Sequence, residues 1–172
     1  MIRQTATRLV FLLAIVATIG CDRVTKHLAT SELAATPGRS YLGGAVRLEY
    51  AENTGGFLGL GADLPPEARA GIFTAANGLL LLVVAGVAIH QRWRGLPLVG
   101  MTLFVAGGAS NWVDHFSQGR VVDFMVVGLG PIRTGIFNVA DVAIMVGLGL
   151  FVFSELGRRY RPEPALDAKE TS

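Results

Sequence analysis

The chain has 172 residues, 51% of them hydrophobic and only 16% charged, with 22 glycines and a formal net charge of +2. That is little charge for a soluble domain and no dense basic patch for nucleic acid, so the composition points to a polytopic membrane protein. One cysteine, Cys21, excludes an intrachain disulfide and a multi-cysteine metal site. His27, His90 and His115 lie far apart and form no His-x-x-x-His pair, which argues against zinc.

Four apolar segments succeed one another along the chain. Residues 9–20 form the first, which must extend into its flanks to span a bilayer. Residues 72–89 carry no charge and are about one span long. Residues 96–113 are glycine-rich and end in polar residues. Residues 136–156 are long enough but hold Asn138 and Asp141 in their first turns. All four read as helices, because an open strand edge cannot face lipid. Arg3 and Arg8 precede the first segment, Arg92 and Arg94 link the second and third, and Arg158, Arg159 and Arg161 come after the fourth. This bias predicts cytoplasmic termini, with residues 27–71 and 117–135 outside.

In the first outer segment, Val46-Arg47-Leu48-Glu49-Tyr50 alternates as a half-buried strand does. Thr54-Gly55-Gly56 reads as a turn, and Phe57-Leu58-Gly59-Leu60 as a returning strand. Pro65-Pro66-Glu67 opens a short helix. The second outer segment holds an apolar stretch at 121–129. The predicted fold is an all-α polytopic membrane protein with four transmembrane helices, a small extracytoplasmic β-sheet and a short surface helix. It forms a single domain over 1–160, with a polar tail, 161–172, expected to be disordered in the cytoplasm.

Asp123 and Asp141 sit beside or inside apolar runs, where a carboxyl group costs about 2.5–3.5 kcal/mol. Two facing carboxyls can share one proton and work as a dyad. Asp22 and Lys26 are i and i+4 on one helix face; they form part of a site or an interfacial ion pair with a snorkelling lysine. Residues 52–57 form a hairpin turn or part of a site. Gly107 and Gly108 allow close helix approach, and Asn111, Asp114 and His115 share a polar face that meets water or substrate. Asn138 and Asp141 have the spacing of a helix cap, which is compatible with a site.

The ordered motifs Asp22-x-x-Thr25-Lys26, Asn53-Thr54-Gly55, Gly107-Gly108-Ala109-x-Asn111-x-x-Asp114, Val121-Val122-Asp123-Phe124 and Phe137-Asn138-x-Ala140-Asp141 resemble those of the lipoprotein signal peptidases, or signal peptidase II. The resemblance runs from about residue 22 to 144. It implies an intramembrane aspartic endopeptidase of the bacterial inner membrane, monomeric, without metal or cofactor. Such an enzyme cuts prolipoproteins before a diacylglyceryl-modified cysteine, with membrane lipids around it. Asp123 and Asp141 match the catalytic pair. Asp22, Lys26, Asn53, Gly55, Gly108, Asn111, Asp114, His115, Asn138 and Ala140 match supporting positions.

The chain departs from the pattern in three places. Ser110-Asn111 stands for Gly-Asn in a stretch that reads one residue short. Asp114-His115 stands for Asp-Arg, and residues 53–57 are one shorter than the family's loop. The shortening implies a rearranged loop before His115, which favours service through a neutral N–H; a required cationic imidazole and a solvent-facing side chain with no role are the alternatives. Two rival functions stand beside the peptidase. Residues 1–21 resemble a lipoprotein signal ending at Cys21, and the two aspartates would suit the proton relay of a small transporter or channel.

Overall fold

The computed structural model describes residues 2–56, 58, 60–91 and 93–159. The expected tail, 161–172, lies outside them. Helix α1 spans Ile2–Leu33. Strands β1 (Arg39–Tyr41) and β2 (Val46–Asn53) come next, joined through a short 3-10 turn. A helix then runs over Pro66–His90 in three parts: α2 (Pro66–Arg69), a π-helical stretch (Ala70–Ala76) and α3 (Asn77–His90). Helix α4 (Leu96–Gln118), strands β3 (Val121–Leu129) and β4 (Ile132–Arg133), and helix α5 (Val139–Arg159) complete the chain.

Among the described residues, three helices are long and apolar enough to cross a membrane: Pro66–His90, Leu96–Gln118 and Val139–Arg159. The sequence predicts four. Helix α1 has the length, with 32 residues or about 48 Å at 1.5 Å per residue, and it continues past Asp22 and Arg23 to Leu33. The first outer segment therefore begins as helix, since residues 27–33 continue α1.

The sheet is antiparallel throughout, in the order β1-β2-β3-β4. The expected strand at 46–50 is present and runs on to Asn53. Its expected hairpin partner is not. Leu58 and Leu60 lie in tight turns, and Gly56 N–H donates to the Leu60 carbonyl over 2.7 Å. Instead β2 pairs with β3, the apolar stretch 121–129, with Asn53 opposite Val121 and Ala51 opposite Asp123. Local alternation identifies a strand, but its partner lies some seventy residues away, where loop-level patterning carries no information.

Helices α4 and α5 form the main contact of the bundle. A Cβ at Gly107 would fall 2.5 Å from the Ala140 carbonyl oxygen, and one at Gly100 would fall 2.6 Å from that of Gly147. Such backbone approach is how helices without a hydrophobic driving force associate in lipid. The π-helical stretch meets α4 where Trp112 Nε1 donates to the Thr74 carbonyl at 2.7 Å. Gly119, at φ 68° in the left-handed region, closes α4 by donating its N–H to His115 O, and so turns the chain directly into β3. The rearranged loop expected before His115 is absent: residues 96–118 form one unbroken helix. A Gly107→Ala substitution should lower stability by about 1–3 kcal/mol, because backbone cannot retreat as a side chain can. Gly86→Ala, with nothing within 4 Å of its added methyl group, should not. Thermal melting of the two variants in detergent checks this, and equal melting would disprove the tight α4–α5 approach.

Candidate active site

The start of α5 fixes one carboxylate. Asn138 Oδ1 accepts the Asp141 N–H at 2.9 Å, and Asp141 Oδ2 accepts the Asn138 N–H at 3.1 Å. This reciprocal cap satisfies helix N–H groups that otherwise lack partners. The remaining oxygen, Asp141 Oδ1, accepts from Asn111 Nδ2 of α4 at 2.9 Å. The cap arrangement read from the sequence is thus formed, and it leaves Asp141 on the wall of a cavity.

Strand β3 brings the other carboxylate. Asp123 Oδ1 accepts from Asn138 Nδ2 at 2.6 Å, and Oδ2 accepts from Asn53 Nδ2 at 2.8 Å. Asn138 therefore touches both aspartates. Asn53 also shapes the turn after β2, because its Oδ1 accepts the Gly55 N–H at 2.9 Å and its Nδ2 reaches the Gly56 carbonyl. The turn and the site use the same side chain. Burial pushes the Asp123 carboxyl above the usual carboxylate range, and the amides of Asn53 and Asn138 oppose that shift only in part.

A second layer lies behind the amides. Lys26 Nζ reaches Asp22 at 2.6 Å, Asp114 at 2.7 Å and Asn111 Oδ1 at 2.7 Å. Lys26 is only 5% exposed, so it does not snorkel; its three N–H groups all have acceptors inside the protein. Asp22 Oδ1 accepts the Ala140 N–H at 2.9 Å, which ties α1 to the first turn of α5. The buried Ala140 leaves room for that approach. Asp114 is also paired with Arg23.

The cavity has a volume of about 280 Å³. Asn53, Gly55, Asn111, His115, Asp123, Asn138 and Asp141 line one part; Leu80, Leu81, Phe104 and Ile144 line another. Gly108 also faces it, beneath Leu81, where a Cβ would meet the Leu81 side chain at 2.5 Å. Asp22, Lys26, Asp114 and Ala140 stand behind the wall rather than on it. All twelve residues singled out in the sequence therefore belong to one connected region. His115 does not face solvent; it is buried and stacks on Phe73, with ring centroids 5.3 Å apart.

Sequence reasoning missed four contributors. Arg23 holds Asp114, and Ser110 Oγ donates to Asp22 Oδ2 at 2.7 Å. Arg69 Nη1 holds the loop after β2 by donating to Thr54 Oγ1 at 2.6 Å. Phe73 comes from the π-helical stretch. Ser110 was within reach, since it sits one turn before Asp114 on the same face of α4. Nothing local marks Arg69 or Phe73.

The Lys26 ammonium is what allows Asp22 and Asp114 to be buried together. Lys26→Met should cost about 3–5 kcal/mol, because it strands the buried Asp22 carboxylate without its counter-charge and leaves Asp114 to Arg23 alone. Adding Asp22→Asn to that variant should recover part of the loss. Melting curves test both, and a single variant as stable as the parent would remove this role.

The comparisons with known proteins agree with the geometry. The family model for signal peptidase (SPase) II matches residues 14–156. The lipoprotein signal peptidase of Desulforapulum autotrophicum is 34% identical over 152 residues, covering 86% of this chain and 93% of that protein. That of Chlorobium phaeovibrioides is 34% identical over 160 residues, covering 83% and 87%. A bacterial membrane enzyme solved by the in meso method at 2.3 Å resolution shares the fold, with a TM-score of 0.79 over 91% of this chain and 94% of that one, at 21% identity. A second, solved at 1.9 Å, gives a TM-score of 0.73 over 86% and 92%. These relatives lend no support to a transporter. Cys21 lies inside an unbroken helix, next to the fully buried Asp22, rather than at the start of a tethered domain. With the family model matched over most of its length, the chain belongs to the signal peptidase II family.

Proposed function

We propose that this protein removes signal peptides from diacylglyceryl-modified prolipoproteins as an intramembrane aspartic endopeptidase, with Asp123 and Asp141 as its catalytic pair. The observation that carries this reading is Asn138, whose amide and backbone bind both carboxylates at the edge of one cavity.

Two carboxyls so close cannot both ionise readily, so the pair holds one proton. The ionised member takes a proton from a water between them. The resulting hydroxide attacks the carbonyl carbon before the modified cysteine, and the protonated member gives its proton to the carbonyl oxygen. Collapse of the tetrahedral intermediate breaks the C–N bond. The cysteine nitrogen leaves with the proton held by the pair, and a hydroxyl of the collapsing intermediate gives its proton to the pair, which so regains its single shared proton. The two members titrate as a unit, so neither is assigned the role of base. Asn53, Asn111 and Asn138 fix the carboxylates by donating N–H groups, while Lys26 orients Asn111. Leu80, Leu81, Phe104 and Ile144 offer an apolar wall beside the polar one, suited to a substrate with a peptide bond next to lipid chains.

In this reading α1 is a fourth span and the protein lies in the bacterial inner membrane. The sheet and the loop after β2 are outside, and both termini are cytoplasmic. The enzyme works as a monomer. The polar stretch after residue 160 is a cytoplasmic tail.

Asp123→Asn and Asp141→Asn should each lower turnover by about 10²–10⁴-fold, the usual contribution of a general acid or base. Both variants should still insert. The native enzyme should show a bell-shaped pH profile: acid protonates both members and alkali ionises both. Its alkaline limb should lie above the ordinary carboxylate range, because burial holds the Asp123 proton. Cleavage of purified diacylglyceryl-modified prolipoprotein, beside an unmodified control, measures all of this. Normal turnover in either variant would refute the dyad, and equal cleavage of the unmodified control would refute the lipid requirement. On a Cys21→Ala background, Ser40→Cys should react with an impermeant thiol reagent added from outside, and Gln91→Cys should not. The opposite pattern would invert the topology.

A further inference from the structure

A second cavity, also of about 280 Å³, opens between α1, α4 and the start of β3, with Arg23, His27, Gln118 and Arg120 on its walls. It shares no lining residue with the catalytic cavity. Lys26 and Asp114 form its floor and separate the two. Arg23 is committed to Asp114, and Lys26 to Asp22, Asn111 and Asp114. Arg120 is different. It faces Glu52 through Nε at 3.3 Å and makes no hydrogen bond among the described residues. His27 is exposed, and neither it nor Gln118 makes a side-chain hydrogen bond there. The cavity thus combines an under-used guanidinium with further free donors, a chemistry that suits a singly charged oxyanion.

The helix below the cavity identifies the kind of molecule that carries the anion. Leu12, Val16, Ile19, Arg23 and His27 succeed one another at intervals of four, three, four and four residues, so they share one face of α1. Leu12 is 60% and Val16 66% exposed. An apolar lane therefore leads along α1 directly into a polar, basic recess. A free anion has no use for the lane, and an apolar chain has no use for the recess. An anionic phospholipid uses both.

We propose that this recess is a binding site for the phosphate headgroup of an anionic phospholipid, whose acyl chain lies along the Leu12–Val16–Ile19 face. Arg120 supplies the main contact, with His27 and Gln118 beside it. The site goes beyond the peptidase reading and does not depend on it, because its test reads binding rather than cleavage.

Native mass spectrometry of the full chain in detergent, titrated with phosphatidylglycerol, should detect one tightly retained lipid. Arg120→Gln should weaken that retention by about fivefold, the effect of one basic residue on an anionic lipid. Arg120→Lys should largely preserve it, and Arg133→Gln, an exposed arginine on β4 outside the recess, should leave it unchanged. His27→Gln with Gln118→Leu provides a second variant should Arg120→Gln melt early. Equal loss in Arg120→Gln and Arg133→Gln would reduce the effect to diffuse surface charge and overturn the proposal. Equal retention of phosphatidylcholine would overturn it as well. So would displacement of the lipid by inorganic phosphate at matched concentration, because a free anion would then be the ligand.

Discussion

The site rests on the burial of Lys26 among three acceptors. Four aspartates, Asp22, Asp114, Asp123 and Asp141, lie almost wholly out of solvent in a chain whose helices are mostly apolar. A buried charge is tolerated only when it is paired and hydrogen-bonded. Lys26 and Arg23 neutralise Asp22 and Asp114, so the supporting layer is closed in charge and in hydrogen bonds. Asp22 ties it to the first turn of α5 through the Ala140 N–H, and the bond from Lys26 to Asn111 Oδ1 connects it to the catalytic cavity. That bond forces the Asn111 amide nitrogen toward Asp141, because the two ends of the amide cannot both face the ammonium.

Asp123 and Asp141 are treated differently. Among the described residues, neither forms an ion pair; their partners are neutral amides and a backbone N–H. Such donors orient a carboxylate without cancelling its charge. In the proposed dyad a shared proton would relieve the repulsion between them. The fold separates two tasks that compete in most buried polar clusters. One pair of aspartates is neutralised to hold three helices in register. The other has no counter-charge among the described residues, as the proposed dyad requires.

The individual residues of this site were legible in the sequence because membrane helices make polar residues conspicuous. Asp141 in an apolar run and the i, i+4 pair of Asp22 and Lys26 announce themselves against their surroundings. Secondary structure was legible for the same reason, in the apolar segments that became Pro66–His90, α4 and α5. Pairing was not. The Phe57–Leu60 stretch has strand-like composition, but β2 takes β3 as its neighbour, and that choice is made by burying Asp123 and Phe124 against α1 and α5. The contributions of Arg23, Arg69 and Phe73 were equally hidden. Each acts across an interface, and an arginine or phenylalanine near a membrane boundary is ordinary in isolation. The loop before His115 was misjudged for a related reason. Two apparent deletions suggested a rebuilt loop, whereas an unbroken α4 simply carries His115 into the wall, against Phe73.

The π-helical stretch shows how the apolar frame serves the polar centre. A π turn widens the helix and rotates the residues beyond it, at some cost in hydrogen-bond geometry. Here it presents Phe73 toward the loop after β2. A Cβ on Gly56 would lie 2.9 Å from that ring and one on Gly61 would lie 3.2 Å from it, while His115 stacks on the ring from α4. Trp112 secures the same stretch by taking the Thr74 carbonyl. Phe73 thus joins three pieces of chain that have no backbone pairing with one another: a membrane helix, the loop carrying Asn53, and the helix carrying Asn111. The position of Asn53 against Asp123 depends on that loop being held. An irregular turn in an otherwise featureless apolar helix is therefore part of how the carboxylates are aimed.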